Sequence, residues 1–234
     1  SGLNMSYLWQ EFNIKTFPAE TLVFRDGVFC DELSDYENCC FDSNTIIIDK
    51  TPKLPVHIIY IGEIAGNFDI NIDLSAQNTN VFLTTKIINK KPAFLNIFIK
   101  NTGKNSVLNG QIIAQNYNSL KIEEKAQHFC ENTGIFLKNR ILAHKNSDTE
   151  LNGYAIIDKN LPNCDSDVSF SVMADKNAKI KMKPTQYIKS VPNSAKHSAS
   201  LYQATENQIN YLRESGLSGV EVKNVLQEAF LSQE

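Results

Sequence analysis

The residues able to do chemistry are few and unevenly placed. His197 stands alone in "HSASLYQATENQINYLRESGL", where strand-like sequence gives way to a helical period. An imidazole titrates near neutral pH, and its uncharged form is a ligand for iron that small shifts can load or release. A half-buried histidine that only holds a strand end fits the same residue. His128 and Cys130, in "QHFC", put a nitrogen and a sulfur two residues apart, on one face if the segment is a strand, but one pair is not a site. Cys30, Cys39, Cys40 and His57 are further candidates for a tetrahedral ion. Adjacent cysteines seldom both reach one such ion, and the paired C-x2-C spacing is missing, which argues against zinc. The chain has no G-x-x-x-x-G-K-[ST] loop and no G-x-S-x-G elbow, so neither nucleotide hydrolysis nor serine-hydrolase chemistry is expected. Asp148, Asp165, Asp167 and Asp175 leave open a carbohydrate-active enzyme, which would need acid and base carboxylates at a set separation across a groove.

These residues must be positioned by a chain of 234 residues, 42% hydrophobic, long enough to bury a sizeable core as one large or two small domains. Its 23 basic and 26 acidic residues give a formal charge of -3, and no run of Lys or Arg could track a duplex, so nucleic acid is not an expected partner. No apolar run approaches the ~18 residues that span a bilayer, and the first residues lack the regions of a signal peptide. No membrane is expected, and the setting is cytoplasmic, or an organellar stroma in a plastid-bearing source. Ser1 to Asn4, ahead of Met5, read as a remnant that hides the natural start. The five cysteines are odd in number and scattered, and they read as reduced thiols. Abundant Asn, with Lys far above Arg, reads as a compositional bias of the genome rather than as a functional asparagine ladder.

In residues 20–30, "ETLVFRDGVFC", two β-rich runs flank Asp26-Gly27, the dipeptide of tight hairpin turns. Residues 31–45 are acidic and polar and read as a connecting loop. From Thr45 to about Ile188 short apolar segments alternate with Asn, Gly, Asp and Lys clusters in a period of two, with no helical period between them. Such spacing suits a sandwich, a barrel or a β-helix and cannot choose among them. Past Ser200 the period changes. Thr205 and Gln208 have the spacing of a capping box, a helix over about 206–214 follows, and Gly216 is placed to end it in a left-handed conformation. Ser218 and Glu221 repeat the box, and Val222, Val225, Leu226, Ala229 and Phe230 predict one apolar face. Isolated helices this short are marginal in water, so their faces must find a surface, either on the strand domain or on another protein.

The chain also resembles a known family, the SufB/SufD proteins of the SUF iron–sulfur cluster assembly machinery, and the SufD branch in particular. "LVFRDGVFCDELSD" (Leu22 to Asp35) is similar to the family's LVF-x-(D/N)G-x-F-x-x-ELS entry strand, "DKTPKLPVHIIY" to its KPIHLL rung and "ELNGYAIIDKN" to its FNGKI-type rung. "MKPTQYIKSVPNSAKHSAS" followed by "TENQINYLRESGL" resembles TKPxLEIxxxxVxCSHGAT and DEExLFYLxSRGI without a gap. The resemblance implies an all-β core folded as a right-handed parallel β-helix over residues 21–200. A leader or remnant over 1–20 would precede it, and a small α-helical hairpin over 201–234 would follow.

By the same resemblance the protein is a non-catalytic scaffold. It would pair with a SufB-like subunit or a second copy of itself and present its helices to a SufC-type ABC ATPase. Ile209, Tyr211, Leu212, Leu217, Val222, Val225, Leu226 and Phe230 are the candidate docking residues. No cofactor would be bound tightly, and a transient iron–sulfur cluster would form at a subunit interface. His197 matches the family's histidine beside that interface. Cys164, in "NCDSD", falls near a cluster-associated cysteine of the SufB branch, where thiolate is the soft ligand such clusters need, and a plain surface thiol is the alternative. Two departures stand out. Larger relatives carry a helical domain before the LVF strand where only about twenty residues stand here, which implies a truncated chain or a reduced lineage, and their cysteine two places before the histidine is Ala195 here.

Overall fold

Alternation of β-branched and polar residues makes the strands, and left-handed asparagines make the corners between them. The computed structural model describes residues 20–42 and 44–232. Its strands are β1 (Glu20–Arg25), β2 (Val28–Phe29), β3 (Cys40–Asp42), β4 (Thr45–Ile48), β5 (Val56–Glu63), β6 (Gly66–Leu74), β7 (Asn80–Asn89), β8 (Ala93–Asn101), β9 (Val107–Asn116), β10 (Ser119–His128), β11 (Gly134–Ala143), β12 (Asp148–Ile157), β13 (Asp165–Ala174), β14 (Lys179–Ile188) and β15 (Ser194–Tyr202). They form two sheets, β15-β13-β11-β9-β7-β5-β1-β2 and β14-β12-β10-β8-β6-β4-β3. Neighbours are parallel except β1–β2 and β3–β4, which close one end as antiparallel pairs. Successive strands therefore alternate between sheets, and the chain winds into a β-solenoid of about six turns, as the resemblance implies.

The lumen is the core. Inward positions stack coil on coil, as in Leu83, Gly110, Leu137 and Val168, or Ile70, Ile97 and Glu124, and the apolar ones pack into one continuous cluster. Burying a full-size aliphatic side chain contributes roughly 1.5–3 kcal/mol, so this axial stack dominates the fold.

Asparagine has a structural use that overturns the compositional reading. Asn78, Asn105, Asn132 and Asn163 turn corners with φ of 52°, 60°, 56° and 57°, a left-handed conformation that Asn tolerates better than most residues. The Asn105 amide donates to Asn78 Oδ1 at 3.0 Å, 27 residues back, and the Asn163 amide to Asn132 Oδ1 at 3.0 Å, 31 residues back. A second set, Asn89, Asn101 and Asn116, is buried at strand ends. Their amides donate to corner carbonyls of Lys91, Ser106 and Asp148 at 3.2, 3.0 and 2.8 Å, which ties each strand end to its corner.

The expected hairpin is present: Asp26 and Gly27, at φ 51° and 82°, form the two-residue turn between β1 and β2. Within the expected loop over 31–45, the chain forms a 3-10 turn at Asp31–Leu33 and the short strand β3. The expected leader over 1–20 falls outside the described residues except for Glu20.

The helices are α1 (Glu206–Glu214) and α2 (Gly219–Leu231), and both predicted capping boxes form, on Thr205 with Gln208 and on Ser218 with Glu221. Gly216 ends α1 at φ 89°. The predicted apolar face of α2 is rotated. Val222, Gln227 and Phe230 are buried, whereas Val225 is 39% exposed and Ala229 is exposed. The cause is docking: α2 packs on β11, where outward-facing Leu142 is fully buried, and Phe230 lies 5.4 Å from the Tyr202 ring at the end of β15. Lys223 Nζ bonds Asp175 Oδ2 at 2.7 Å across the same junction. By contrast, α1 buries no residue.

Candidate functional site

Among the described residues β14 and β15 are the last strands of their sheets, so each leaves one row of backbone N–H and C=O groups without a strand partner at the same end of the solenoid. His197 lies on β15 in register with Val168, and Val168 is in register with Leu137. His197 thus occupies a column whose earlier members are buried, and it is exposed only because no coil follows. Ala195, Ala199 and Leu201 on β15 and Ile180 and Met182 on β14 stand in the other inward columns of the same coil, and Leu201 remains 50% exposed. The open end is therefore an apolar lumen cross-section with one imidazole in it, rimmed by bare strand edges.

Cys164 lies at the corner before β13, and the surface-thiol reading is wrong, because the residue is fully buried. Its carbonyl accepts from Asn193 N at 3.0 Å, which sets it four strand positions from the level of His197, ~13 Å at the usual rise. The two candidate ligands are thus not on one atom. The Cys164 thiol reaches the Cys130 carbonyl at 3.3 Å and Thr133 Oγ1 at 3.4 Å. Thr133 Oγ1 donates to the Cys130 carbonyl at 2.9 Å, so it accepts from His128 Nδ1–H at 2.7 Å and leaves Nε2 as the bare nitrogen. Burial holds His128 down to about 4, so the ring is neutral. His128 and the Cys130 thiol are not brought together as a pair; a network joins His128, Thr133, the Cys130 carbonyl and Cys164 instead.

Among the described residues no group of three or more His, Cys, Asp or Glu side chains is gathered as a metal site. Cys30, Cys39, Cys40 and His57 therefore bring no three of their side chains around one point. Cys39 is buried, and burial with the neighbouring Glu20 pushes its thiol up to about 12, which makes it a poor nucleophile. Of the four aspartates, Asp175 pairs with Lys223 and lies near His144, Asp165 accepts from the Asn193 amide at 3.0 Å, and Asp165 and Asp167 stand two residues apart on the outer face of β13.

One polar pair escaped the sequence reading. Glu124 is fully buried in the lumen and accepts from the Asn139 amide at 2.9 Å. Burial pushes its carboxyl up to about 8. The signal was available: in "LKIEEKA" Glu124 falls at the inward phase set by Ile122 and Ala126.

With the end coil and helices in place, a comparison with protein families decides their kinship. Residues 67–230 match the model of the SUF system FeS cluster assembly SufBD core domain. The chain belongs to this family. The match runs from β6 through α2 and so contains the open end, His197, Cys164 and both helices, while the "LVFRDGVFCDELSD" resemblance lies before it. No curated protein matches the chain. Members of the family are components of cluster assembly rather than classical enzymes. No described helix is long and apolar enough to cross a membrane.

Proposed function

We propose that the chain is a SufD-like scaffold subunit, pairing through its open end with a second solenoid and docking a SufC-type ATPase on its C-terminal helices. The observation that carries the pairing is the coincidence of two bare strand edges with an apolar lumen end, a surface that another sheet edge would complete. His197, lone and accessible in that cross-section, would face a nascent cluster held between subunits as cargo. Cys164 would stay behind it, reachable only if the corner at Asn193 opens.

The docking face is narrower than the sequence suggested. Val222 and Phe230 are spent on holding α2 to the solenoid. This leaves Ile209, Tyr211 and Leu212 of α1, with Leu217, Val225 and half-buried Leu226, for the ATPase, and Tyr211 is 70% exposed. Movement of the ATPase would reach β15 through the Phe230–Tyr202 contact, and its neighbour β13 through the Lys223–Asp175 ion pair, which links helix position to the strand that carries His197.

Two measurements test this reading. Tyr211→Asp with Leu212→Asp abolishes co-purification with the ATPase while the melting temperature stays within about 2 °C, because neither side chain is buried. In anaerobic reconstitution with iron and sulfide in the presence of a SufB-like partner, His197→Ala lowers cluster yield several-fold with unchanged stability. Equal yields would leave a structural solenoid without metal.

A further inference from the structure

On the outer face of β11, Lys138 is exposed, whereas Arg140 and Leu142 are buried where α2 packs against the strand. For Leu142 that is ordinary apolar packing. Arg140 is only 8% exposed, and its Nη1 is sealed from solvent with no hydrogen-bond partner. Neither Arg140 nor Lys138 enters an ion pair among the described residues. On the other wall of the junction, Gln227 is 5% exposed on the buried side of α2, and its Nε2 has no partner either. Two side chains, each more than nine-tenths buried, thus leave a donor unfilled in one helix–sheet junction. A third donor adjoins them: Ser171, half-buried on β13 in register with Arg140, has its Oγ 3.0 Å from Ser200 Oγ, and either hydroxyl can donate. Nearby carboxylates do not meet the charge. Asp175 bonds Lys223, Glu221 caps Ser218, Glu228 is exposed, and Asp167 lies in the Phe136 column, four strand positions from Arg140 or ~13 Å.

We propose that the junction of α2 with β11 is a phosphate-binding site, in which Arg140 and the Gln227 amide hold the inner oxygens of the anion and Lys138 and the Ser171 hydroxyl its outer ones. A guanidinium taken out of water is costly unless an anion meets it, and folded proteins pair such groups with a carboxylate or a phosphate. Arginine binds either one through two parallel N–H donors. Here donors from β11, β13 and α2 converge from several directions, which suits a tetrahedral group with three free oxygens better than a planar carboxylate with two. Because α2 covers Nη1, the ligand is a small group that enters the junction when the helix lifts, rather than an acidic side chain on the surface of another protein. Once bound, the anion ties α2 to the sheet. The site stands independently of the ATPase reading, and its consequence for that reading is that anion supply sets how firmly α2 is seated.

Inorganic phosphate is the probe, added to the whole chain at pH 7 with sodium chloride holding the ionic strength constant. A ligand of the folded state raises the melting temperature with its concentration, here with an onset at roughly 1 mM phosphate. Hydrogen exchange slows in β11 and α2. Arg140→Met keeps the aliphatic stem and removes the charge. Without phosphate it melts no lower than wild type, since an unpaired buried charge is gone, and it needs roughly tenfold more phosphate for the same shift. Phosphate also stabilises proteins by exclusion from their surface, an effect both chains share, so the difference between them is the signal. Gln227→Glu, nearly isosteric, puts a carboxylate where the anion would sit. It melts above wild type without phosphate and no longer responds to it. Adenosine diphosphate in place of phosphate separates the sources: an equal shift assigns the site to the phosphate of a nucleotide, no shift to the free anion, and either supports the site. Equal phosphate responses in wild type and Arg140→Met would overturn the proposal. So would an Arg140→Met chain several degrees less stable than wild type without phosphate, because the guanidinium would then already have its partner in the fold. A Gln227→Glu chain less stable than wild type would mean that the two side chains do not face one anion, which also overturns it.

Discussion

Glu124 makes a prediction at the scale of one residue. Its folded pKa, about 8, lies above the ordinary carboxyl range because burial disfavours the charge. The folded chain therefore binds more protons than the unfolded chain between about pH 4.5 and 8, so stability falls as pH rises through that window. His128, held down to about 4, contributes the opposite slope below pH 6.5, where stability is lost as pH falls. Between pH 6.5 and 8 only the Glu124 effect of the two remains. Glu124→Gln keeps the shape and the Asn139 contact, so it removes that decline and raises stability at pH 8 by a few kcal/mol at most in urea unfolding curves. A variant with the same decline as wild type would mean that Glu124 is already ionised in the fold. Alternation in "LKIEEKA" placed this side chain inward; its meeting with Asn139 was not legible, because strand period says nothing about which residues face each other across a lumen.

At the scale of elements, local rules were legible and docking was not. The Thr205/Gln208 and Ser218/Glu221 boxes are complete within four residues, so sequence alone identifies them. Which side of α2 is buried depends on where it lands, and β11 takes Val222, Gln227 and Phe230 in preference to Val225 and Ala229. The two faces of α2 should therefore respond differently to the same insult. Phe230→Asp inserts a charge at a residue 2% exposed and lowers stability by roughly 3 kcal/mol or more. Val225→Asp, one turn away and partly exposed, shifts stability by less than about 1 kcal/mol. Comparable melting temperatures for the two variants would place the helix on the sheet in a different rotation from the one described.

The whole molecule is a stack in which each coil touches only its neighbours, so stability is close to a sum of nearest-neighbour terms. Even spacing of short strands told of such repetition without distinguishing a solenoid from a barrel, because the sequence shows strands but not which ones pair. The corner asparagines, 27 and 31 residues apart, hold the missing information, since a ladder needs the coil length as its repeat. One end of the stack is closed by the antiparallel pairs β1–β2 and β3–β4, and the other stops at β14 and β15 with one neighbour each. Local opening should follow this asymmetry, since end coils forfeit half of their interfaces. Hydrogen exchange on the isolated chain is then slowest in β8 to β11 and faster by a factor of ten or more in β14 and β15. A substitution at a mid-stack corner, Asn132→Ala, loses both the left-handed tolerance and the Asn163 contact, at about 1–2 kcal/mol. It should accelerate exchange in the coils on either side of that corner more than at the closed end. Uniform protection from β5 to β15, with the variant raising exchange everywhere alike, would mean that the solenoid opens as one unit, and that its free end has no more freedom to admit a partner than its centre.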